Sequence, residues 1–146
     1  MEKKDFISSL LCDKVVEKIL ELPSLNGKIS VIRVIKYHDN TTPLLVSDFY
    51  PSIMERNGGV MPSFEKQENK QNLTQFGASF FLANDMSLQV IQSIPALREE
   101  MKAVACGIIS KKHGLIGKPD NTGHLVLYLF NPIKNDLPQK FNYMEI

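Results

Sequence analysis

FGASFFL (residues 76–82), ANDMSLQVIQSI (83–94), KAVACGIIS (102–110) and HLVLYLF (124–130) follow one another in the second half of the chain, and together they decide the fold. The first segment alternates Phe76, Ala78, Phe80 and Leu82 with Gly77, Ser79 and Phe81, the two-residue period of a strand. The second places Met86, Val90, Ile91 and Ile94 at helical spacing behind Asn84 or Asp85, either of which can cap a helix. The third is a short apolar run rich in small and β-branched residues, as expected of a buried strand. The last sets Leu125, Leu127 and Leu129 against His124, Val126, Tyr128 and Phe130. Strand, helix, strand and strand in this order predict a mixed α+β core.

Working outward, Phe6, Ile7, Leu10, Leu11, Val15, Val16, Ile19 and Leu20 recur every three or four residues, with Lys14, Glu17, Lys18 and Glu21 opposite. This is an amphipathic helix, ended by Pro23 and Gly27. KISVIRVIKY (28–37) then reads as a strand. The expected fold is an N-terminal helix packed on a mainly antiparallel sheet of four or five strands, with one internal helix. Residues 1–146 are read as a single domain, with a long mobile loop over 53–75 and an irregular tail over 131–146. The loop shows neither period, and loops of that length in compact domains tend to be lids or unstructured segments.

Composition narrows the function classes. A chain of 146 residues with a net charge of +1 lacks the basic excess of a general nucleic-acid binder. No apolar run reaches the roughly 20 residues of a membrane span. Two cysteines, Cys12 and Cys106, fall in regular elements and read as buried thiols of a cytoplasmic protein. Three histidines and two cysteines without a close pair give no metal site.

Few residues look out of place. Arg33 stands mid-strand with apolar neighbours two residues away on both sides, so its guanidinium must reach a carboxylate, solvent or a ligand. Asp48 and Tyr50, in DFYPS, are too aromatic in context for a bare linker and are taken with Arg33, Ser79 and Phe81 as ligand-binding candidates. KKHGLIGK (111–118) clusters Lys111, Lys112 and Lys118 around glycine amides, a candidate anion site. His124, opening a strand, is a candidate acid–base group. None of these sits in a nucleophile-elbow or comparable catalytic motif.

An arginine on an early strand, then G-A-S-F-F-L-A running directly into a helix, is similar to the ordering in ADP-ribosyltransferase-like domains. The resemblance implies that Arg33 contacts NAD and that Ser79, with Phe80 and Phe81, forms the later strand of the site. It also implies a catalytic glutamate near another strand. LVLYLF carries none, so Glu145, Glu99, Glu100 or a loop residue such as Glu65 or Glu68 would have to serve.

Two functions are thus expected. The first is a binding or regulatory protein, of the kind used in host–phage or toxin systems, with a protein or small nucleotide as partner and no cofactor. The alternative is a small NAD-using enzyme.

Overall fold

A computed structural model of the chain describes residues 5–6, 10–35, 42–94 and 103–144. Seven strands form one sheet: β1 Ser24–Leu25, β2 Lys28–Ile35, β3 Ala78–Leu82, β4 Ala103–Ser110, β5 Gly114–Gly117, β6 His124–Leu129 and β7 Phe141–Met144. Their order is β1-β5-β6-β3-β2-β4-β7, and every pairing is antiparallel. Five helices accompany them among the described residues: α1 Asp13–Leu20, α2 Ser52–Glu55, α3 Phe64–Glu68, α4 Asp85–Gln92 and α5 Leu137–Lys140. Among these residues no helix is long and apolar enough to cross a membrane.

Two short links show that the sheet is not flat. Only Asn26 and Gly27 join β1 to β2, and only residues 111–113 join β4 to β5. In the strand order, β1 lies four places from β2, and so does β5 from β4. Four spacings in a flat sheet come to about 19 Å, whereas three or four fully extended residues reach only about 10–14 Å. The sheet therefore curls until its two sides approach. Gly27, with φ +93°, makes the first of these tight links, and His113 N–H donating to Ser110 O at 3.0 Å closes the second.

The concave side holds one core. Val31, Ala78, Phe80, Ala105, Ile109, Ile116, Leu125, Leu127 and Leu129 converge there, joined by Phe49, Leu137 and Phe141 from outside the strands' central run. Phe49 meets Phe141 edge-on at 4.9 Å, and Phe80 lies 5.8 Å from Phe141. The convex side is covered twice. Val15, Val16 and Ile19 of α1 pack on Leu115, Val126 and Tyr128, and Ile91 of α4 packs on Ile32 and Val104.

The strand count exceeds the sequence expectation for a physical reason. β1 is two residues long, β5 is GLIG between lysine-rich turns, and β7 is FNYM beside Pro and Asn. None has enough alternating residues to show a period by itself; tertiary pairing makes them strands. The expectation of one internal helix is corrected likewise. Residues 53–75 contain α3, the end of α2 and a 3-10 turn at Leu73–Phe76, and residues 131–144 contain α5 and β7. The strand read as 28–37 is described to Ile35; Lys36 and Tyr37 lie outside the described residues. The N-terminal helix is described from Asp13 rather than Phe6.

Gln67 explains why the 53–75 segment has shape. It is fully buried, and its Oε1 accepts from Cys12 N–H at 2.9 Å. Its Nε2 donates to Leu10 O and Pro62 O, both at 2.7 Å. One side chain thus ties the chain entering α1 to the chain entering α3.

Candidate functional site

Arg33 lies on the concave face of β2 and is only 6% exposed. Its Nη1 donates to Ser79 O at 2.8 Å, its Nε to Asp48 O at 3.2 Å and its Nη2 to Tyr50 O at 3.2 Å. Glu55 Oε1 is 3.5 Å from Nη2, and the guanidinium carbon stands 5.5 Å from the Phe80 ring centroid. Burial lowers its pKa from the ordinary arginine value, opposed by the charges of Glu55 and Asp48. The structure thus brings Arg33, Asp48, Tyr50 and Ser79 together, but through main-chain carbonyls of the last three. The fork of donors holds the 46–55 segment against β2 and β3.

Register separates the side chains that the resemblance would group. Val31 faces Leu82 and Ile32 faces Phe81, so by alternation Arg33 shares the face of Phe80. Ser79 and Phe81 point to the other face, where Phe81 is paired with His124 and its ring meets the imidazole edge-on at 5.4 Å. His124 Nδ1 lies 4.0 Å from Asp120 Oδ2. Asp120 also accepts from Thr122 Oγ1 at 2.6 Å and from the amides of Thr122 and His124, and the Thr122 hydroxyl is the main cause of its lowered pKa. Asp120 is therefore a turn-closing acceptor. Glu145, Glu99 and Glu100 lie outside the described residues. Among the described residues no three His, Cys, Asp or Glu side chains converge to hold a metal ion.

A different surface has the dimensions and charge of a site. A groove of about 950 Å³ runs over the part of the convex face that α1 and α4 leave uncovered, and along the 131–136 loop. Pairing places Ser30, Ile108, Cys106 and Asn142 on that face, since Ser30 opposes Ile108 and Cys106 opposes both Ile32 and Asn142. Ile108 is 50% exposed at its floor. Among the described residues Lys28, Lys112, Lys134 and Lys140 line it, against a single acidic residue, Asp136. None of the four ammonium groups forms an ion pair among the described residues, while Asp136 Oδ1 is held by His113 Nε2 at 2.9 Å. Ser110 N–H donates to His113 Nδ1 at 3.0 Å, so the ring proton sits on Nε2 and points at Asp136. His113 thereby fixes the β4–β5 turn to the 131–136 loop and gives the groove one wall.

Of the anion-site candidates, Lys112 lines this groove, whereas Lys111 and Lys118 are exposed outside its lining. Lys28, at a strand start, is more than a hundred residues from Lys134, in a loop, and Lys140, at a helix end, and only the fold brings it to them. Gly107 makes the assembly possible. A Cβ there would stand 2.5 Å from Lys140 O and 2.6 Å from Phe141 Cδ1, so only glycine lets β7 close on β4.

No protein-family model, no curated protein and no solved structure matches this chain.

Proposed function

We propose that this chain is a binding protein that acts by occupying an anionic partner through the lysine-lined groove, without chemistry of its own. The observation that carries this reading is the charge imbalance of that groove: among the described residues, four lysines against one aspartate, the latter already engaged by His113. Fixed charge of one sign in a groove with low-dielectric walls raises the local concentration of an oppositely charged partner and speeds its capture. The near-neutral whole, with a net charge of +1, makes the groove the place where that attraction is concentrated. Such a surface suits a regulatory or inhibitory protein, including one of a host–phage or toxin system. The residues that an NAD enzyme of ADP-ribosyltransferase-like shape would need do not support that alternative, because Arg33 spends its donors on the fold.

The test is titration of fluorescently labelled polyglutamate into the protein and into Lys112→Glu/Lys134→Glu, at low and high salt. Both lysines are exposed, so the variant keeps the fold, and its thermal melt verifies this. Saturable binding to the wild type, weakened by salt over the range in which the screening length shortens and lost in the variant, supports the reading. Equal affinity in the two proteins, or none in either, overturns it.

A further inference from the structure

We infer that the groove takes a small organic polyphosphate, its phosphates held by the lysines and its organic body resting on Ile108; this rests on the anionic-partner reading above. The groove's volume of about 950 Å³ lies in the range of small-molecule sites, roughly 300–1,000 Å³. Strand register sets its charges around one apolar point. Ser30 opposes Ile108, and Lys28 opposes Ser110. Gly107 opposes Phe141, so the next pair in that register brings Lys140 beside Ile108 from the other side. Two strand spacings across and two residues along put the Cα atoms of Lys28 and Lys140 about 12 Å apart. Lysine side chains reaching inward from those positions close on a short phosphate chain, and Lys112 and Lys134 stand on the same lining. Ile108, half exposed between them, is left for the apolar part of the ligand.

The lining offers donors rather than acceptors. Ser110 Oγ already accepts from Lys112 N–H at 3.3 Å, and Asn131 Oδ1 from Lys134 N–H at 3.0 Å. What these two side chains have left to give is a hydroxyl proton and an amide N–H pair. Asp136 is occupied by His113 Nε2 at 2.9 Å. A phosphate, whose oxygens all accept, suits such a lining. The choice of cation also separates phosphate from carboxylate. A planar carboxylate is best met by the fork of an arginine, and no arginine lines the groove among the described residues. A tetrahedral phosphate takes compact ammonium groups from several sides, which is what four lysines supply. A nucleic acid strand would gain little here, because stacking needs free aromatic faces and Phe130 is already in edge contact with Phe6 at 5.1 Å.

The experiment is calorimetric titration of the whole chain with adenosine triphosphate, a hexose bisphosphate, tripolyphosphate and citrate, beside the polyglutamate of the preceding test. The inference requires the nucleotide or the sugar phosphate to bind at least about tenfold more tightly than citrate, and the tighter of the two names the source of the phosphates. That affinity should fall at least about tenfold in Lys28→Gln/Lys140→Gln and stay within about twofold in Lys111→Gln/Lys118→Gln, which removes the same charge outside the lining. All four lysines are exposed, and thermal melts verify that both variants fold. Tripolyphosphate binding as tightly as either organic phosphate overturns the contact with Ile108. Citrate matching the phosphates, or polyglutamate binding where no phosphate does, overturns the phosphate assignment while leaving the anion-binding groove standing. Equal losses in the two variants overturn the site. Binding of no probe, polyglutamate included, overturns both the inference and the groove.

Discussion

Arg33 Nη1 donates to the carbonyl oxygen of Ser79 at 2.8 Å, and the Ser79 side chain points to the opposite face of the sheet. The two residues are neighbours in space, but the contact belongs to the architecture. Three carbonyls, from Asp48, Tyr50 and Ser79, take the guanidinium donors, and this is what allows a charged side chain to sit in a core of Val31, Phe49 and Phe80.

Arg33→Ala is expected to cost about 3 kcal/mol, because three carbonyls, one of them buried and two partly so, lose their donor and the 46–55 segment loses its tie. Arg33→Lys should recover only part of this, since one ammonium cannot reproduce the planar fork. Urea denaturation midpoints check both. A loss below about 0.5 kcal/mol in the alanine variant, the level of an ordinary surface substitution, would contradict the structural role.

Gln67→Ala is expected to destabilise by roughly 2–3 kcal/mol, because Cys12 N–H and the carbonyls of Leu10 and Pro62 are left without their partner. Gln67→Glu keeps the acceptor for Cys12 but turns the donor toward two carbonyls into a carboxylate. Its penalty should therefore be larger at pH 7 than near pH 4, where a protonated acid can donate again. A pH-independent penalty, measured by chemical denaturation at both values, would argue against the clamp.

Gly107→Ala should displace β7, since its new Cβ would meet the Lys140 carbonyl and the Phe141 ring. The expected cost is about 1–3 kcal/mol. Amide hydrogen exchange should show protection lost first at 141–144, with β3 and β6 little changed. Uniform loss across the sheet would place the strain elsewhere.

Tyr128 has its pKa raised from 10.0 to about 12 by burial. A phenol that ionises more readily unfolded than folded contributes stability that is fully present below pH 10 and is lost as pH rises toward 12. The wild type should therefore lose stability more steeply over that window than Tyr128→Phe, whose ring cannot ionise. Parallel stability–pH curves for the two proteins would show that the phenol is not held neutral by the core.

Legibility in the sequence followed segment length and the range of the interactions. β2, β3, β4 and β6 carry enough alternating residues to announce themselves, as does the stripe of Val15, Val16 and Ile19 in α1. β1, β5 and β7 are two to four residues long and exist because a neighbour pairs with them, so no local period could reveal them. Arg33 was visible as an anomaly, yet its partners are carbonyl oxygens, which every residue has. Gln67 gave no signal at all, being one glutamine in the polar run EKQENKQN. Lys112 was visible within KKHGLIGK, but Lys28, Lys134 and Lys140 join it only once the sheet has curled and Gly107 has let β7 dock.

The most direct test of the account is a map of backbone amide shifts as unlabelled polyglutamate is titrated into isotope-labelled protein at low salt. The account predicts that shifts concentrate at Lys28, Ile108, Lys112, Lys134, Lys140 and Asn142, the residues around the groove. Shifts centred instead on Arg33, Ser79 and His124, or spread evenly over every exposed lysine, would contradict it.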